Sequence, residues 1–236
     1  STNIVVRYNT VIENVAGMEI ENSADASVHN NYASGNTGGI LIFKLPGPDV
    51  QLSNGHEIFF NVSVNNNRSN IGIGTVGAIP DGTGILVLSN DDGDFHHNII
   101  QGNDSFGFVL LDQLTLNALS GTNFFNPVSH SCAAPDPVIK CSVANQAVEC
   151  PLSGTCLQEQ KTTGNKVHDN LIDGTNGTNG DSTAPNSAQG AQAPIRYEVV
   201  PSEQDPPPNY NFNCFEGNGF ALANSLLGAV ALTTCP

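Results

Sequence analysis

The chain has 236 residues, 39% hydrophobic and only 12% charged, and its 7 Lys and Arg against 22 Asp and Glu give a formal net charge of −15. So few bases exclude a partner recognised through its phosphates, such as nucleic acid, and an acidic surface disfavours anionic membranes. Gly 24 and Pro 14, together with abundant Asn, describe turns and short strands, and no apolar run is long enough for a membrane span.

In chain order one unit keeps returning. It opens as Val6-Arg7-Tyr8-Asn9 running to Glu13-Asn14 and is clearest as Val28-His29-Asn30-Asn31-Tyr32-Ala33-Ser34-Gly35-Asn36. Ile58-Phe59-Phe60-Asn61 and Phe95-His96-His97-Asn98 follow, then Val167-His168-Asp169-Asn170 and Tyr210-Asn211-Phe212-Asn213. Aligned on the last Asn of each quartet, the residue three places earlier is bulky and mostly apolar. Two places later it is again mainly apolar (Val11, Ala33, Ser63, Ile100, Ile172, Phe215). Gly usually stands four places later and Asn five.

Most copies are followed by Gly and alternating apolar residues, as in Gly17-Met18-Glu19-Ile20, Gly39-Ile40-Leu41-Ile42, Gly84-Ile85-Leu86-Val87 and Gly107-Phe108-Val109-Leu110. Such runs, bounded by Gly and Asn, read as short strands. The 22 residues from Asn9 to Asn31 are too few for a helical pair or a propeller blade and suit one coil of a parallel β-helix. Stacked coils bring equivalent residues to about 4.8 Å from one another. An Asn buried at a bend can then bond the backbone and the Asn of the next coil, which satisfies its amide. Asn9, Asn31, Asn61, Asn98, Asn170 and Asn213 are therefore expected to form a structural ladder.

The expected architecture is a single domain, all-β, with about six coils. Residues 1 to 43 read as two compact coils, and Lys44 to Asn54 as a loop leaving the solenoid. The third coil has an excursion through Pro80-Asp81-Gly82, and Gly84 to Leu111 reads as the best-preserved coil. Residues 112 to 165 read as an insertion, with a degenerate coil near Asn123-Phe124-Phe125-Asn126. Residues 178 to 209, rich in Gly, Ser, Ala and Pro, read as a loop and Tyr210 to Leu232 as the last coil. The first residues already lie inside a repeat, which suggests a processed form or a fragment.

Six cysteines, an even number, predict disulfides and an oxidising, extracellular or periplasmic compartment. Cys132, Cys141, Cys150 and Cys156 share the insertion, and Cys214 and Cys235 lie near the end. Pairing within each group is the simplest arrangement, but the spacing leaves other pairings open. No CxxC pair and no Cys beside a His supports zinc. Asn-x-Ser/Thr sequons occur at Asn61, Asn67, Asn103 and Asn176. Asn61 falls in the buried column and should carry no sugar, and the other three remain candidates.

Several stretches carry a resemblance. They are Glu13-Asn14-Val15-Ala16-Gly17-Met18-Glu19-Ile20-Glu21-Asn22-Ser23, Asn36-Thr37-Gly38-Gly39-Ile40-Leu41-Ile42-Phe43 with Leu45-Pro46-Gly47, and Gly82-Thr83-Gly84-Ile85-Leu86-Val87. Over residues 11 to 111 the chain resembles secreted right-handed parallel β-helix repeat proteins of the pectate-lyase-like superfold. The resemblance implies a right-handed winding. It leaves function open, because that superfold holds polysaccharide lyases, uronan C5-epimerases, phage tailspikes and non-catalytic adhesins.

The column two places before each ladder Asn reads Arg7, His29, Phe59, His96, His168 and Asn211. With Tyr32, its Arg7, His29 and His96 are candidates to abstract and return a proton beside a uronate carboxylate. Against this, exposed positions accept many residues, His stacks well on its neighbours, and Phe59 interrupts the set. Asp91, Asp92 and Asp94 are dense enough to be Ca²⁺ ligands, although Asp-Gly pairs also favour turns for backbone reasons alone. Lys44 and Arg68 are isolated bases. No phosphate loop, nucleophile elbow or metalloprotease motif is present.

Three functions compete. The leading one is a non-catalytic extracellular or cell-surface scaffold, structural or adhesive, that touches polysaccharide. The second is a subunit that assembles end to end with copies of itself through open coil edges. The third is a polysaccharide lyase or epimerase, disfavoured by the scarcity of cations to neutralise a substrate carboxylate.

Overall fold

The computed structural model describes residues 1–45, 52–111, 162, 164–172, 214–218 and 235 with their side chains, and the backbone alone of 130–131, 140–143, 146–149, 155–158 and 193–198. Strands β1 to β3 are Val5–Arg7, Thr10–Ile12 and Ala16–Glu21; β4 to β6 are Ser27–His29, Tyr32–Ser34 and Gly38–Phe43. Strands β7 to β9 are Glu57–Phe59, Val62–Val64 and Thr83–Leu88, and β10 to β12 are Asp94–His96, Ile99–Gln101 and Phe106–Leu111. Strands β13 to β16 are His130–Ser131, Lys140–Val143, Gln146–Glu149 and Thr155–Gln158. Strands β17 to β20 are Lys166–His168, Leu171–Ile172, Ala193–Glu198 and Cys214–Glu216.

The chain visits three parallel sheets in rotation. The first sheet has the order β1-β4-β7-β10-β17-β20, the second β18-β11-β8-β5-β2 and the third β19-β12-β9-β6-β3. Val6, Val28, Ile58, Phe95, Val167 and Phe215 lie in register across the first sheet. This all-β stacking, with one short 3-10 helix (Gly74–Ala78) among the described residues, is compatible with a parallel β-helix.

Period-2 alternation sorts the side chains. Val28, Ile58, Phe95, Ile100, Phe108 and Val167 are fully buried in one continuous core. The third sheet departs from alternation, since all six residues of β6, β9 and β12 are buried. Its outward Leu41, Leu86 and Val109 form a second apolar cluster with Leu45 and Ile79, so the excursion carrying the 3-10 helix roofs that sheet. Burial on both faces explains why Gly-Ile-Leu-Ile-Phe and Gly-Ile-Leu-Val-Leu are nearly continuous apolar runs.

The bends turn through left-handed residues, one in most cases and two at the third bend where Asn22 precedes Asp25 and Ser89 precedes Asp92. Before the second sheet these are Tyr8, Asn30, Phe60, His97 and Asp169, with φ between 51° and 57°, and Gly217 at 62°. At the second bend they are Glu13, Gly35, Asn65 and Gly102; at the third, Asn3, Asp25, Gly55, Asp92 and Gly164.

Several expectations need correction. Residues 178–209 are not all loop, because β19 lies among them and pairs with β12, placing Ile195 beside Phe108. The cysteine-bearing insertion holds an antiparallel sheet of order β13-β16-β15-β14. Thr83–Leu88 continues from β7 and β8 and stacks on β6, so it closes the third coil instead of opening a fourth. The last repeat is shifted by five residues. Phe215, not Tyr210, stands beside Val167, and Asn218, not Asn213, receives the hydrogen bonds of Asn170. Gly217 takes the left-handed position at φ 62°, where glycine carries no Cβ penalty. Asn213 and the segment 123–126 lie outside the described residues. Cys214 and Cys235 form a disulfide. Cys132 and Cys150 lie outside the described residues; Cys141 and Cys156 fall on β14 and β16, whose side chains do too.

Candidate functional site

The first bend is built by the asparagines. Asn9 Nδ2 donates to Asn31 Oδ1 at 3.0 Å, Asn31 to Asn61 at 2.9 Å, Asn61 to Asn98 at 3.0 Å and Asn98 to Asn170 at 2.9 Å. The backbone N–H of each donates to the same oxygen of the next coil. A second amide proton goes to a core-strand carbonyl, as from Asn61 to Val28 and from Asn98 to Ile58.

A parallel row at the second bend joins Asn14, Asn36, Asn66 and Asn103. Its sequence signal is the Asn five places after Asn9, Asn31, Asn61 and Asn98. This row excludes Asn103 as a sugar acceptor: the residue is fully buried and its Nδ2 donates to the Ser63 carbonyl. Asn67 is also engaged, its Nδ2 donating to the Gly102 carbonyl and its Oδ1 accepting from the Asp104 N–H. Asn176 lies outside the described residues.

The third bend has a polar row that the sequence hides, because its residue types vary from coil to coil. Gly93 N–H donates to Asn165 Oδ1 at 2.9 Å, and two coils away Ala26 N–H donates to His56 Nδ1 at 3.1 Å. The accepting Nδ1 leaves the proton on Nε2, 3.3 Å from Ser53 Oγ, which in turn donates to Asn90 Oδ1. Burial outweighs the attraction of Asp25 and lowers the His56 pKa to about 4.

Outside this frame, the first sheet presents Arg7, His29, Phe59, His96, His168 and Glu216 in one column; Glu216 takes the place expected for Asn211. The rings stack face to face: His29 on Phe59 at 4.8 Å, Phe59 on His96 at 5.2 Å and His96 on His168 at 5.2 Å, all within 16° of parallel. Arg7 lies over Tyr8, its Cζ 5.7 Å from the ring centre.

Each imidazole turns Nδ1 to the bend residue that follows it. His29 meets Asn30 Oδ1 at 2.8 Å, His96 meets His97 Nδ1 at 2.9 Å and His168 meets Asp169 Oδ2 at 2.9 Å. The Nε2 atoms of His96 and His168 reach back one coil, to Glu57 at 3.5 Å and Asp94 at 2.9 Å. Partial burial opposes charge on His168, but the hydrogen bonds and charges of Asp169 and Asp94 prevail and raise its pKa.

These positions decide what the candidates can do together. His29 and His96 are separated by Phe59, and Tyr32 is on the second sheet, beyond the bend. The three aspartates diverge. Asp91 pairs with the buried Lys44 at 3.3 Å, Asp92 forms the bend and Asp94 bonds His168. Among the described residues no three His, Cys, Asp or Glu side chains form a metal-holding group. Arg68, the other isolated base, donates through Nη1 to the Glu13 carbonyl.

No helix among the described residues is long and apolar enough to cross a membrane. Comparisons with protein-family models, curated proteins and solved structures give no match.

Proposed function

We propose that this chain is a right-handed parallel β-helix of about six coils serving as a non-catalytic extracellular scaffold, structural or adhesive, that holds polysaccharide on its outer surface. The right hand follows from the chirality of parallel crossover connections. The observation that carries the reading is the state of the first-sheet imidazoles. Their faces are stacked on Phe59 or on one another, and their Nδ1 atoms are tied to bend residues. A general base needs a nitrogen aimed at a substrate proton, and this column spends its ring faces on neighbouring coils, its Nδ1 atoms on bend residues, and the Nε2 atoms of His96 and His168 on Glu57 and Asp94. The Cys214–Cys235 disulfide supports an oxidising compartment.

The test has two readouts on one panel of neutral and acidic polysaccharides: retention of the protein on each glycan, and release of ultraviolet-absorbing unsaturated uronate. Retention without release is the expected result. Release of unsaturated product that disappears in His96→Gln would replace the scaffold with a lyase.

A further inference from the structure

We propose that the outer face of the second sheet, bordered by Tyr8 and Phe60, binds an uncharged, unbranched polysaccharide through the apolar faces of its sugar rings. This rests on the polysaccharide-binding reading above and names both the surface and the class of glycan.

The three sheets differ sharply in what they show to solvent. The third is roofed by its own apolar cluster. The first displays ionisable groups, among them Arg7, Glu57, Asp94 and Lys166. The second has no residue charged at neutral pH at any outward position of β2, β5, β8, β11 or β18. Instead it exposes Ile12 by 54%, Tyr32 by 42%, Ile99 by 39% and Leu171 by 49%. Thr10, Ser34 and Gln101 add uncharged hydrogen-bonding groups at other outward positions of these strands.

The border carries the second, independent observation. Tyr8 and Phe60 occupy left-handed bend positions, φ 57° and 52°, where the equivalent residues of other coils include Asn30, Asp169 and Gly217. A bulky residue there is an outlier and costs on the order of 1 kcal/mol or more. Neither ring recovers that cost by burial, since Tyr8 is 72% and Phe60 51% exposed. Aromatic rings held at a strained, exposed bend suit contact with something outside the fold.

The dimensions favour a glycan over a protein or a second copy of the chain. Three-residue strands make the face roughly 10 Å wide, and five strands spaced about 4.8 Å apart make it roughly 20 Å tall. The resulting patch, on the order of 200 Å², is well short of the roughly 800 Å² per partner of a stable protein interface. It does match a linear polymer with about one pyranose per strand, given the strand spacing of about 4.8 Å. An uncharged face on a chain of net charge −15 repels polyanions at long range and offers them no compensating cation.

Affinity electrophoresis of the full chain through soluble mixed-linkage β-glucan and, separately, polygalacturonate tests this. The variants are Phe60→Asn and Tyr32→Ala on the proposed border and face, and His96→Gln on the first sheet, with folding checked by thermal melting. The expected result is retardation by the β-glucan, weakened roughly tenfold, about 1.4 kcal/mol, in the Phe60→Asn/Tyr32→Ala double variant and unchanged in His96→Gln. Retardation by polygalacturonate alone, or loss in His96→Gln instead of the double variant, would overturn the proposed surface while leaving polysaccharide binding intact. Retardation by neither glycan would overturn both. A concentration-dependent dimer in sedimentation that the double variant disperses would assign the face to self-association and overturn the proposal.

Discussion

A ladder asparagine satisfies several backbone and side-chain groups at once, and its replacement should be correspondingly expensive. Asn98 Oδ1 accepts from both the N–H and the Nδ2 of Asn61, while its own Nδ2 donates to the Ile58 carbonyl and to Asn170. In Asn98→Ala these partners remain buried without replacements. A loss on the order of 3 kcal/mol follows, since each orphaned buried group costs roughly 1–3 kcal/mol and the neighbours relax in part. Urea melts of the variant measure it, and a loss below about 1 kcal/mol would show that the row contributes little. Phe60 has the opposite sign. Phe60→Asn keeps the left-handed bend with a residue that tolerates it, so stability should rise by about 0.5–1 kcal/mol. Lower stability would mean that the T-shaped contacts of Phe60 with Phe59 and His97 outweigh the backbone strain.

At the scale of elements, glycines separate into those that leave room and those that turn the chain. Gly17, Gly39 and Gly84 stand second in their third-sheet strands, and their missing side chains make space for the second Asn row at Asn36, Asn66 and Asn103. A Cβ on Gly84 would come within 2.7 Å of both Asn103 Nδ2 and Ile100 Cγ2. Gly84→Ala should therefore cost at least about 2 kcal/mol as an overpacked core site. Gly35 is different. It sits at φ 67° with nothing near its Cβ position, and Asn65 holds the same bend position one coil away. Gly35→Asn should change stability by less than about 0.5 kcal/mol, and comparative thermal melts of the two variants separate the roles. The recurrence of Gly before each apolar run was legible in the sequence because the steric demand is identical in every coil. The third-bend row was not, because Gly93 with Asn165 and Ala26 with His56 meet the same demand with different residues. The last register was misread for a related reason: Tyr210-Asn211-Phe212-Asn213 copies the repeat letters, while Phe215 and Gly217 supply the apolar side chain and the turn. The outward column of Arg7, His29 and His96 could be read as a line of residues. Its stacking depends on coil-to-coil register, and only the fold supplies that.

For the whole molecule, two histidines should give the stability curve opposite slopes on either side of their ordinary pKa. His56 is buried and neutral, with its pKa lowered from 6.5 to about 4. The unfolded chain therefore binds the extra proton more readily, and the stability His56 contributes is present above pH 6.5 and lost as pH falls through about 4. At about 1.36 kcal/mol per pH unit the loss is on the order of 3 kcal/mol. His168 is held charged by Asp94 and Asp169, and its pKa is raised. Its contribution is present below the unfolded value of 6.5 and disappears as pH rises through the folded value. Carboxylates titrate in the acid range too, so the informative quantity is the difference between the wild-type curve and that of a single variant. His56→Asn retains an acceptor for the Ala26 N–H, as Asn165 does for Gly93, and removes the titrating ring. Its difference curve should be flat above pH 7 and swing in the variant's favour between pH 6.5 and 4. His168→Gln should instead lose stability relative to wild type below pH 6.5 and converge with it at alkaline pH. Parallel curves for wild type and His56→Asn would mean that the ring takes up its proton as readily in the fold as in the unfolded chain, and the hydrogen bond from Ala26 to Nδ1 would have to be abandoned. Coincidence of the His168→Gln and wild-type curves would leave the Asp94 and Asp169 contacts as solvent-screened surface pairs, worth little to the fold.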